Sequence, residues 1–114
     1  ATGLPLERIV DAIHAAGGLA VAAHINREAF GILGQLGFIP EGLPLDALEV
    51  TRRLGPAEAR RRHPELARFA FIQSSDSHII TDIGAGVTRA MLKEPTLAEL
   101  KLAFEKRDGR CILE

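Results

Sequence analysis

Two kinds of apolar pattern alternate along the chain. Leu6, Ile9, Val10 and Ile13 recur at spacings of three and four, which places them on one stripe of a helix. Pro5 suits the first turn of that helix, and Gly17 and Gly18 suit its exit. Residues 19–23, LAVAA, then form a short continuous apolar run. Runs of this kind mark strands covered on both faces, as in parallel sheets.

The alternation continues. A second helix is expected over 27–36, weakened by Gly31 and Gly34, and GFIPEGLP (37–44) reads as a loop. ALEVT (47–51) is a second strand. Pro56 opens a helix to about Arg62, which the His63-Pro64 step should end. FAFIQS (69–74) is a third strand and VTRAMLK (87–93) a fourth. Thr96 and Glu99 fit a capping box. The helix they open carries Leu97, Leu100 and Phe104 on one face, Gly109 ends it, and RCIL (110–113) closes the chain as a short strand.

Helices and strands in alternation, joined by short connections, predict an α/β fold. About four parallel strands with interleaved helices are expected, as an open sheet or part of a barrel. In such folds chemistry gathers at the carboxyl ends of the strands. His24 follows the first strand, Asp76 and His78 follow the third, and Glu49 lies within the second.

Composition narrows the picture. A chain of 114 residues fits one domain, and 46% apolar content is enough for a core. The net charge of -1 gives no electrostatic reason to expect a nucleic-acid or anionic-membrane partner. Arg60, Arg61 and Arg62, with Arg52, Arg53 and Arg68 nearby, read as a solvated face. The single cysteine, Cys111, excludes an internal disulfide, suits a reducing compartment and reads as a small core residue. No apolar run approaches the roughly 20 residues of a membrane span, and no charged-then-apolar leader precedes the domain. A cytoplasmic protein is expected.

Asp76 and His78 are separated by one residue. In extended backbone such a pair points to one side. Carboxylate plus imidazole suits Zn, Mn or Fe, and His24 at another strand end could converge with them. An Asp–His hydrogen bond without metal is the plainer alternative. Glu49, between Leu48 and Val50, needs a partner if buried. An arginine such as Arg27 or Arg52 could supply it, or Glu49 could face the site. Arg27 could clamp an anionic group in the bidentate manner of guanidinium, or sit in an ion pair. His14 and His63 read as structural or surface residues. The glycines of GAG (84–86) read as a tight turn.

GGLAVAAHINRE (17–28), LGFIP (36–40), DALEV (46–50) and SSDSHIITDIG (74–84), in this order, resemble the carboxyl-terminal half of PHP domains, the polymerase and histidinol phosphatase superfamily. The resemblance implies part of a distorted (β/α)7 barrel and a metal-dependent phosphoesterase. It implies that His24 is the metal ligand of the third family motif, and Asp76 and His78 those of the fourth. The ions would be Zn, Mn or Fe, and the substrate a phosphorylated small molecule or nucleotide.

The departures are equally specific. The family's first motif is His-x-His, and none of the four histidines here forms one. The second motif, a His and a bridging Glu, also has no candidate. Residues 1–114 then correspond to a domain or fragment that starts after both. A full site takes four to six ligands, so this chain alone is expected to bind metal weakly or not at all. It is expected to lack turnover, and to pack against the rest of a parent chain or against itself. The alternative is a non-catalytic interaction or regulatory module that keeps the fold without a complete metal site.

Overall fold

The computed structural model describes residues 2–113. The first helix, α1 (Leu6–Ala15), leads into β1 (Val21–Ala22), then α2 (Ile32–Leu36) and β2 (Ala47–Val50). After these come α3 (Pro56–Arg62), β3 (Ala70–Gln73), β4 (Arg89–Met91), α4 (Leu97–Phe104) and β5 (Cys111–Leu113). Short 3-10 turns occupy Pro64–Leu66 and Ile80–Asp82.

β1, β2 and β3 form a parallel sheet with β2 in the middle. Ala47 aligns with Val21 on one side and Ala70 on the other. The fourth strand departs from expectation: β4 does not join the sheet but pairs antiparallel with β5. An apolar strand pattern carries no information about strand direction, which the path of α4 settles.

Both faces of the sheet are covered, which accounts for its unbroken apolar runs. Leu48, Val50 and Phe71 point to one face, where Ile25, Ala59, Leu66 and Phe69 complete the largest core cluster. Ala47 and Ala70 point to the other, against Phe104, Leu100 and Ile112 from α4 and β5. Guanidiniums lie over the aromatic rings: Arg60 is 5.2 Å from the Phe71 centroid and Arg68 is 4.6 Å from that of Phe69.

Several local expectations change. The helix expected over 27–36 shortens to five residues because Phe30 has φ +66° and Gly31 is extended. A Cβ on Gly31 would come within 2.4 Å of the Arg27 carbonyl oxygen, so only glycine fits there. The capping box is half made. Thr96 Oγ1 accepts from the Glu99 amide at 3.3 Å, but the Glu99 carboxylate turns elsewhere. It takes a two-point grip from Arg110, at 2.8 and 2.9 Å, and the Lys93 amide at 2.7 Å. Those donors, Arg110 first, hold its pKa below the ordinary 4.5. Glu99 is thereby only 8% exposed, whereas Leu97, expected on the inner face, is 58% exposed. Cys111 is half-buried in β5.

His14 proves structural. Its Nε2 lies 2.7 Å from Asp46 Oδ2, and the same oxygen accepts from the Ala20 amide at 2.6 Å. This links the end of α1 to the residue preceding β2.

The two edges of the sheet differ. Beyond β3, Thr88 Oγ1 accepts from the Gln73 amide and donates to the Gln73 carbonyl, both at 2.7 Å. Beside β1 lies an apolar groove of about 460 Å³ lined by Leu6, Ile9, Ile13, Val21, Phe30 and Ile32. No helix among the described residues is long and apolar enough to cross a membrane.

Candidate functional site

Parallel pairing brings three loops to one end of the sheet: residues 23–27 after β1, 51–54 after β2 and 74–78 after β3. A cleft of about 630 Å³ opens there, with Arg27, Asp76 and His78 in its lining.

Glu49 holds the three strand ends together. Its Oε2 accepts the His24 amide at 3.1 Å and its Oε1 accepts the Ser74 hydroxyl. Its own carbonyl accepts the Ile25 amide at 2.8 Å. The carboxylate thus pairs with neither arginine considered from the sequence. It is not part of the cleft's lining either, and acts by fixing the backbone beneath the cleft.

His24 is half-buried with φ +32°, and Asp76 has φ +49°. These conformations are costly for residues other than glycine and persist where the surroundings over-determine them. Two of the three ligands expected from the resemblance therefore sit on strained backbone at strand ends. The Nδ1 of His24 is buried with no hydrogen-bond partner among the described residues. Asp76 Oδ2 accepts from Arg27 Nη1 at 2.9 Å, so Arg27 is in an ion pair. His78 Nδ1 lies 2.8 Å from the Asp76 carbonyl oxygen. A carbonyl only accepts, so this contact is made by an Nδ1–H donor, and Nε2 is the ring nitrogen not engaged in it.

Asp76 and His78 share the cleft, while His24 is not among its lining residues. No group of three or more His, Cys, Asp or Glu side chains among the described residues is arranged to hold a metal ion. His24 Nδ1 and His78 Nε2 are of a ligand type that divalent metals accept, but His24 Nδ1 is buried. As a set, however, the residues present do not make a complete metal site.

The serines have structural tasks. Ser74 bonds Glu49. Ser75 Oγ accepts from the Gly84 amide at 2.9 Å and donates to the Gly86 carbonyl at 3.2 Å, folding the 82–86 turn back on the strand end. A Cβ on Gly86 would come within 2.3 Å of the Ser74 carbonyl oxygen, so the glycine is required by close approach.

Arg52, Arg53, Arg61, Arg62 and Arg68 are exposed, as the solvated-face reading expects, but that reading did not place three of them at the site. Arg52, Arg53 and Arg62 line the cleft. Arg61 conforms to that reading, exposed and bound to Glu58. The missed signal was positional, since Arg52 and Arg53 follow a buried strand at its carboxyl end just as His24 does. Comparison with protein-family models, curated proteins and solved structures finds no match to this chain.

Proposed function

We propose that this chain is the phosphate-binding, carboxyl-terminal part of a PHP-type metal-dependent phosphoesterase, with Asp76 and His78 as donors at the reacting corner of the cleft and His24 as a third ligand. The observation that carries this reading is the cleft itself. A carboxylate, an imidazole and Arg27 stand together at the carboxyl ends of three parallel strands. The remaining ligands, and the rest of a (β/α)7 barrel, would come from protein outside these residues or from a second copy. That protein would also cover the open side of β1.

With further ligands from outside these residues, Asp76, His78 and His24 would help hold a divalent ion, whose contribution would be Lewis-acid chemistry toward a phosphate ester. The residues described here supply orientation: Arg27 toward the phosphate, and Glu49 beneath the strand ends. A second reading, a non-catalytic interaction or regulatory module without a complete metal site, is favoured by the Arg27–Asp76 pair, which engages the carboxylate a metal would need.

Mn²⁺ titration of the purified chain, followed by paramagnetic broadening of its amide NMR signals, separates the two. The phosphoesterase reading expects weak binding with broadening confined to residues 24–27 and 74–78, lost in Asp76→Asn. Broadening spread over surface carboxylates, or broadening at residues 24–27 and 74–78 that survives Asp76→Asn, sinks it.

A further inference from the structure

We propose that Arg52, Arg53 and Arg62 form an anion subsite in the same cleft, so that its ligand carries a second phosphate group in addition to the one at the Asp76–His78 corner. The identity of the first group rests on the reading above; anion binding at the arginines does not.

Charge distribution points this way. Four guanidiniums line the cleft against two carboxylates, Asp76 and Asp82, in a chain of net charge -1. At the reacting corner Arg27 and Asp76 offset one another at 2.9 Å. The surplus therefore lies with the other three arginines. Arg53 makes no side-chain hydrogen bond or ion pair among the described residues. Arg52 approaches Asp82 only to 3.7 Å, longer than a charge-assisted hydrogen bond. Arg62 engages Glu58 through Nε at 2.7 Å, which leaves its terminal nitrogens available.

The backbone beneath Arg52 and Arg53 is already set. They occupy the two central positions of a turn closed by the Leu54 amide on the Thr51 carbonyl, at 3.0 Å. Asn26 anchors that turn from the neighbouring strand end. Its Oδ1 accepts the Thr51 amide at 2.9 Å and its Nδ2 donates to Thr51 Oγ1 at 2.8 Å. A preset turn lowers the ordering cost of gripping an anion. A cleft of about 630 Å³ is of metabolite size, well beyond what one phosphate ion fills.

Metal-free titration with inorganic phosphate in about 0.15 M chloride, a level that screens diffuse surface attraction, tests the subsite. Expected are millimolar binding, amide shifts centred on residues 51–54 and 62, and an affinity loss of about fivefold in Arg53→Gln. Arg52→Gln should repeat that loss. Shifts scattered over the surface, or an affinity untouched by both arginine variants, would overturn the proposal. Localised phosphate binding alongside a failed Mn²⁺ titration would keep the subsite and remove the phosphoesterase reading. The converse result would do the opposite.

Discussion

The cleft at the strand ends and the groove beside β1 open onto the same small sheet but are built by different means. The cleft is held by directional polar bonds: Glu49 to His24 and Ser74, Asn26 to Thr51, Arg27 to Asp76. The groove holds apolar side chains at an unpaired strand edge, with Phe30 84% exposed. Apolar surface left in water is a loss that any covering protein would recover. One region is walled mostly by polar and charged side chains, the other by apolar ones.

The largest expected effect tests whether both regions depend on one base. Phe71, in β3, is fully buried in the core on one face of the sheet. Phe71→Ala should cost about 3–5 kcal/mol and broaden the signals of cleft and groove together in thermal and denaturant melts followed by NMR. Independent melting of the two regions would separate them.

A smaller effect should touch the cleft alone. Glu49→Ala leaves the His24 amide and the Ser74 hydroxyl without their acceptor, a loss of about 1–3 kcal/mol. Shifts should centre on residues 24–27 and 74–78, while Ile9 and Ile32 in the groove keep theirs. If the groove signals moved as much as those of the cleft, the separation drawn here would fail.

The smallest effect on stability belongs to the groove. Phe30 has φ +66°, a conformation that asparagine tolerates better. Phe30→Asn should change stability by no more than about 0.5 kcal/mol and reduce concentration-dependent association in sedimentation velocity. Equal association by the parent and variant chains would show that Phe30 takes no part in contact between copies.

Much of the framework was legible in the sequence because it follows local rules. The helix at Leu6–Ala15 appears in the spacing of its apolar stripe, and β2 and β3 appear as short apolar runs. Even the position of the cleft follows from strand polarity once the sheet is taken as parallel. Glu49 was legible as an anomaly but not in its partners. A sequence marks a carboxylate in an apolar strand, but not that a backbone amide and a serine from two neighbouring strands will meet it.

The arginines show the same limit more sharply. Six of them fall between residues 52 and 68, and composition assigns them all to solvent. Folding divides them: Arg52, Arg53 and Arg62 reach the cleft, Arg61 pairs with Glu58, and Arg60 and Arg68 lie over aromatic rings. Glu99 reads as half of a capping box, yet Arg110 takes its carboxylate from eleven residues away.

Periodicity, glycine placement and helix-start chemistry are properties of neighbouring residues, so the order and type of the elements were determined by the sequence alone. Strand direction at β4, the partners of Glu49 and Glu99, and the gathering of arginines around Asp76 and His78 depend on residues distant in the chain. Those choices were left to tertiary packing, because a charged side chain is committed only when burial removes its water and one specific partner stands within reach.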